Sequence, residues 1–215
     1  MSEIVQGTPE WHAVRCGKVT ASRVADVIAK TKTGVSALRA TYMGQLIAER
    51  LTGIVQPSFT NAAMEHGTAT EAEARAAYEF YYGVEVEAVG FVNHPTIHMC
   101  GASPDGRVGT TGLVEIKCPN TATHAETLLS GKIPAKYITQ MMWQMTCDRR
   151  DWCDYVSYDP RLPEHMRMFC KRVERDTDLI IELGLEVHAF VVELDEKIAA
   201  LRIRYPAPDL LAAAS

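Results

Sequence analysis

The chain has 215 residues, of which 47% are hydrophobic and 23% charged, enough apolar mass for one domain with a sizeable core and too little polar bias for a fibrous or disordered protein. A net charge of −5 excludes phosphate binding over the whole surface, so any nucleic-acid groove must be concentrated by folding or by assembly of subunits. The opening MSEIVQGTPEWHAVRCG lacks the basic and apolar regions of a signal peptide, no run approaches about 20 apolar residues, and the six cysteines form no CxxC pair, which predicts a reduced, cytoplasmic protein without membrane span, disulfide framework or zinc ribbon.

In chain order, TASRVADVIAK at 20–30 predicts a helix with Thr20 or Ser22 as N-cap before Val24, Val27 and Ile28. SALRATYMGQLIAERLTG predicts a second, capped by Ser36, carrying an apolar stripe of Leu38, Met43, Leu46, Ile47 and Leu51 and stopping at Gly53. After the turn-rich IVQPSFTN, the Ala- and Glu-rich segment from Ala62 predicts a third helix ending before Gly83. The period then changes. VEVEAVGFV, IHMCGASPDGRVG and TGLVEIKCP predict a β-meander with a turn at GTTG. PAKYITQMMWQMTCD returns to helical spacing, with its Met-rich face expected in the core, and WCDYVSYDP and HMRMFCKRVERD predict two more strands. Asp176 to about Arg204 predicts a long amphipathic helix. The order favours an α/β (α+β) fold with a central mixed sheet covered by helices, residues 1–215 forming one domain without repeat or linker.

The stretch GASPDGRVGTTGLVEIKCPN, residues 101–120, carries the chemistry. Side chains alternate along a strand, so Glu115 and Lys117 share one face while Ile116 points to the other. Asp105 joins that face only if the hairpin opposes it to Glu115, which requires a three-residue loop, Gly109 to Thr111, or a bulge; a two-residue loop at Thr110 and Thr111 opposes it to Ile116 instead. Two carboxylates and a main-chain carbonyl such as that of Ile116 are the hard oxygen ligands Mg²⁺ prefers. Lys117 beside them can orient water or stabilise charge on a phosphoryl oxygen, the chemistry of phosphodiester hydrolysis. Glu-x-Lys on its own is more often a solvent-facing pair. With the preceding Pro-Asp it becomes the Asp…Glu-x-Lys pattern of restriction-endonuclease-like nucleases.

On these residues, and on WHAVRCGKVTAS at 11–22, GTATEAEARAAYEF at 67–80, AKYITQMMWQM at 135–145 and YVSYDPR at 155–161, the chain resembles the bacteriophage lambda exonuclease family, the YqaJ-like viral recombinases. The resemblance implies metal binding and water activation by Asp105, Glu115 and Lys117, with a supporting role for Glu71, which otherwise reads as a helix-surface partner of Arg75. It further implies a pocket for the 5′-phosphate of a DNA end made by Arg15, Ser22, Ser103 and Gln140, Tyr137 lining the active site, and Met64 as an apolar wedge. Arginine forks and hydroxyls near a helix start suit phosphate. Also implied are Mg²⁺, for which Mn²⁺ can substitute, a homotrimeric ring threaded by double-stranded DNA, 5′-to-3′ digestion to mononucleotides with a 3′ overhang, and a single-strand annealing partner. The TKTGVS loop, the hairpin itself and the tail PAPDLLAAAS depart from the family pattern.

Two rival functions are weighed: another nuclease on the same core, either a nicking endonuclease or a Cas4-like enzyme that would carry four cluster-binding cysteines, and a non-catalytic DNA-end-binding module, which the complete Asp, Glu and Lys set opposes. His94 and His98 are separated by Pro95 and read as loop histidines. Cys118 lacks a base partner and reads as packing beneath the site.

Overall fold

A computed structural model describes residues 4–32, 34–56 and 62–206. Its helices are α1 (Pro9–Arg15), α2 (Val24–Val27), α3 (Ala37–Thr52), α4 (Ala62–Tyr82), α5 (Thr121–Ser130), α6 (Ala135–Asp148) and α7 (Thr177–Arg204). Its strands are β1 (Val19–Thr20), β2 (Lys30–Thr31), β3 (Gly34–Val35), β4 (Val86–Glu87), β5 (Val92–Asn93), β6 (Cys100–Ala102), β7 (Gly106–Val108), β8 (Gly112–Lys117), β9 (Trp152–Tyr158) and β10 (Met168–Glu174).

The central sheet has five strands in the order β10-β9-β8-β7-β4. It is mixed: β8 runs parallel to β9, while the other pairs are antiparallel. A parallel neighbour cannot be reached by a tight turn, and here α5 and α6 supply the crossover. One sheet face presents Leu113, Cys153 and Tyr155 to a core built with α2, α3, α6 and α7, and the other presents Val114, Ile116, Val156 and Tyr158 against Ala74 and Tyr78 of α4. Both faces are therefore covered, which is why β8 is buried along almost its whole length. On α7 the residues Ile180, Leu183, Val187, Phe190, Val191, Leu194 and Ile198 form one buried stripe at helical spacing.

The mixed sheet between helices, the long closing helix and the caps of α3 agree with the sequence. Ser36 accepts from the Leu38 N–H, and Gly53 ends the helix in the left-handed conformation, a cap worth about 1 kcal/mol. Four expectations need correction. The segment 20–30 is not one helix: a 3₁₀ turn at Ala21–Arg23 leads into α2, and neither Thr20 nor Ser22 caps it through its side chain. The apolar stripe of α3 is rotated, with Leu38 and Leu51 exposed and Tyr42 and Glu49 buried beside Met43 and Leu46. The β-meander is instead divided between two sheets, because β5 and β6 join β1 in a three-stranded sheet while β4, β7 and β8 enter the central one. Finally, α1 and α5 were not anticipated: α1 buries no residue, and α5 buries only His124 and Thr127, so neither has an apolar stripe.

Candidate active site

The hairpin of β7 and β8 pairs Gly106 with Val114, Arg107 with Leu113 and Val108 with Gly112. The loop is therefore the three residues Gly109 to Thr111, with Gly109 taking the left-handed backbone (φ 57°) that opens it. Continuing the register opposes Asp105 to Glu115. Beyond Val114, β8 runs past the end of β7 and keeps a strand partner only in β9. The Ile116 N–H on the freed edge donates to Asp105 Oδ2 at 2.7 Å. Within a strand the N–H and C=O of one residue point to the same side, so the Ile116 carbonyl faces the Asp105 edge as well.

Glu115 is fully buried, and its carboxylate meets three donors. From α6, Gln140 Nε2 donates to Oε1 and Gln144 Nε2 to Oε2, both at 2.6 Å, and Lys117 Nζ forms an ion pair with Oε1. The ammonium also lies 5.5 Å from the centroid of the Tyr137 ring, which stacks on Tyr155 at 5.5 Å. Burial pulls the Lys117 pKa down, but Glu115 and Asp105 outweigh it and the net shift is upward, so the ammonium is firmly charged. Asp105 moves the other way from an ordinary carboxylate: burial, then the charges of Glu115 and Glu71, raise it well above the usual range against the opposing pull of Lys117 and the Ile116 N–H. One ammonium beside the buried Glu115 and the half-buried Asp105 leaves the site short of positive charge.

That deficit is the test for a cation, and the residues fit one. Among the described residues no three His, Cys, Asp or Glu side chains converge as a metal-binding group. A divalent ion here would therefore take Asp105, Glu115, the Ile116 carbonyl and water, a hard oxygen set. Glu71 stands apart on α4, 4.0 Å from Arg75, so the helix-surface pairing is present, yet its charge is felt at Asp105 and Cys118. Arg75 does more than pair: its Nη2 donates to the Asp105 carbonyl at 2.5 Å, tying α4 to the loop ahead of β7. Cys118 is buried, and burial together with Glu71 and Asp105 pushes its thiol up to about 12, leaving a protonated packing residue.

The residues expected around a phosphate are linked but do not all face one space. Arg15 and Ser22 line a cavity of about 380 Å³ together with His12, Lys18, Arg23 and Glu49. Arg15 lies 3.7 Å over the Trp11 ring, and Trp11 Nε1 donates to Ser103 Oγ at 2.9 Å. Ser103 thus supports the wall through Trp11, while the Gln140 amide is committed to Glu115. The Met64 side chain falls outside the described residues. His94 is a brace, accepting from the N–H groups of Thr96 and Ile97 and stacking on Trp143 at 4.7 Å.

The YqaJ-like viral recombinase domain matches residues 10–151. The chain belongs to that family. Solved structures of LHK-Exo, an alkaline exonuclease from Laribacter hongkongensis, one of them in complex with dAMP, are 54% identical to it over 92% of this chain and 97% of theirs, with a TM-score of 0.87. A phage-related exonuclease from Haemophilus somnus 129PT, 16% identical over 86% of this chain and 96% of its own, shares the fold at a TM-score of 0.69. Among curated proteins none matches. Family membership makes the chain a nuclease, and among the described residues no helix is long and apolar enough to cross a membrane.

Proposed function

We propose that the chain is a Mg²⁺-dependent exonuclease that digests one strand of linear double-stranded DNA from its 5′ end, releases 5′-mononucleotides and leaves a 3′ overhang for recombination by a single-strand annealing partner. The observation that carries this reading is the meeting of Asp105, Glu115 and Lys117 at the open edge of β8 in a relative of an alkaline exonuclease solved with dAMP, a nucleotide of the class such hydrolysis releases.

Asp105, Glu115 and the Ile116 carbonyl would hold the Mg²⁺, or Mn²⁺ in its place, which when bound supplies neutralising charge at the scissile phosphate and acidifies water. The chain's own residues do the positioning. Gln140 and Gln144 fix both oxygens of Glu115, and Glu115 in turn holds the Lys117 ammonium beside the Tyr137 ring. From there Lys117 can donate to a water or to a non-bridging phosphate oxygen as negative charge develops. Arg15, with Ser22 across the same cavity, presents donors to a terminal phosphate. A homotrimeric cytoplasmic enzyme enclosing the duplex would gather basic side chains inward and turn the net acidic surface outward.

The test is digestion of 5′-end-labelled linear duplex beside a covalently closed circle, both with Mg²⁺. Labelled mononucleotide from the 5′-ended strand and an intact circle are expected. Cleavage of the circle, or loss of the 3′-ended strand first, would overturn the reading in favour of an endonuclease or the opposite polarity.

A further inference from the structure

Helix α1 carries Arg15 but buries none of its own residues, so the guanidinium, stacked on Trp11 of the same helix, is placed only as firmly as the helix is moored. Its leading side is moored by hydrogen bonds: Gln6 Nε2 donates to the carbonyls of Val89 and Pro104 at 3.0 and 2.7 Å, and Trp11 reaches Ser103. Its trailing side is moored most closely at Gly17, with a longer contact from Cys16 Sγ to the Glu49 carbonyl at 3.9 Å beside it. The Gly17 N–H donates to Glu49 Oε2 at 2.7 Å, and the Gly17 carbonyl accepts from Arg50 Nε at 2.7 Å. Two consecutive residues of α3 thus grip both backbone polar groups of a single residue two positions after Arg15.

Each gripping side chain is itself held. Glu49 is buried, with only 4% of its surface exposed, and its Oε1 accepts from Gln45 Nε2 at 2.9 Å and from the Gln56 N–H at 3.2 Å. Arg50 Nη1 donates to Asp195 of α7 at 2.5 Å. Gly17 is in the left-handed region (φ 70°), and a Cβ there would lie 2.6 Å from Arg50 Cγ, so the close approach requires glycine. Glu49 shares the wall of that cavity with Arg15 and Ser22 among others, and a buried carboxylate is tolerated there because its oxygens are hydrogen-bonded.

We infer that Glu49, acting through Gly17, is a positioning residue that sets the enzyme's selectivity for 5′-phosphorylated ends by fixing where Arg15 stands. Glu49 does not itself touch the phosphate. The inference rests on the reading of the Arg15 cavity as the terminal-phosphate site. Displacing a positioned group by about 1 Å suffices for large losses in rate.

The experiment measures the ratio of initial rates on 5′-phosphorylated and 5′-hydroxyl duplexes for the full-length enzyme and the variants Arg15→Ala, Glu49→Ala, Glu49→Gln and Gly17→Ala. Partial unfolding scales both rates together and leaves the ratio untouched, so the ratio separates positioning from stability. The ratio is expected to fall about tenfold or more in Arg15→Ala, Glu49→Ala and Gly17→Ala, and to fall less in Glu49→Gln than in Glu49→Ala, since the amide oxygen can still accept from Gly17 while its NH2 faces the Gln45 and Gln56 donors. If Arg15→Ala loses the ratio while Glu49→Ala and Gly17→Ala retain it, the clamp is overturned and the cavity reading stands. If the parent has no preference, or Arg15→Ala keeps it, the cavity reading is overturned and the role of Glu49 with it.

Discussion

The two halves of the site are built in opposite ways. Glu115 and Lys117 sit on β8, a strand buried on both faces, with Asp105 just ahead of β7, and Glu115 is locked by amides from α6, the helix that also contributes Met141, Trp143 and Met145 to the core. The Arg15 cavity is lined by α1, the segment carrying Lys18 and Thr20, the 3₁₀ turn and α3, and α1 is tied to α3 by hydrogen bonds at Gly17. On the proposed function, hydrolysis would sit on the buried strand and recognition of the DNA end in a cavity whose α1 wall is positioned by hydrogen bonds. Changes in the first half should alter turnover on every substrate, and changes in the second should alter the choice between substrates.

Lys117→Ala should give the largest effect. It removes the ammonium paired with Glu115 and is expected to lower Mg²⁺-dependent hydrolysis by about 10²- to 10³-fold on phosphorylated and hydroxyl ends alike. Turnover equal to the parent would remove Lys117 from the mechanism. Next comes Gln144→Leu, which leaves Glu115 Oε2 without its α6 donor. A loss of about 10- to 100-fold in activity or Mg²⁺ affinity is expected, again on both ends, and a change confined to phosphorylated ends would break the division between the halves. Arg15→Ala should lower the rate on phosphorylated ends by about tenfold more than on hydroxyl ends, as the paired initial rates report.

The smallest effect lies outside both halves. Burial raises the Asp159 pKa, but the Arg161 side chain, Thr121 and the Arg161 N–H prevail and bring it down to about 2. Its folded value is below its unfolded one, so its contribution is complete above about pH 4 and is lost as pH falls through about 2. Asp159→Asn should therefore lower the melting temperature at neutral pH and flatten its acid dependence in that window. An unchanged slope between pH 4 and 2 would dismiss Asp159 as a source of acid sensitivity.

How much could be read in advance follows the same division. Strand alternation puts Glu115 and Lys117 on one face, and the requirement that Asp105 join them selects an odd loop or a bulge over the two-residue loop that GTTG equally allows; the structure has the three-residue loop. Gln144 was hidden inside MMWQM, where a Met-rich helix face signals core, and its partner lies 29 residues away. Arg75 looked like the i+4 partner of Glu71, and nothing local indicates that it also reaches the Asp105 carbonyl. Glu49 was masked by an apolar stripe drawn one position out of phase, and α1 by the absence of any stripe. Long-range polar contacts leave no periodic signal, and the Arg15 cavity is made mostly of them.

The central claim concerns a cation bound at the edge of β8, and Mn²⁺ soaked into crystals of the full-length enzyme addresses it directly. An anomalous peak about 2.1 Å from carboxylate oxygens of both Asp105 and Glu115, and near the Ile116 carbonyl, is the predicted result. A Mn²⁺-soaked, catalytically active crystal with no peak among these three oxygens would contradict it.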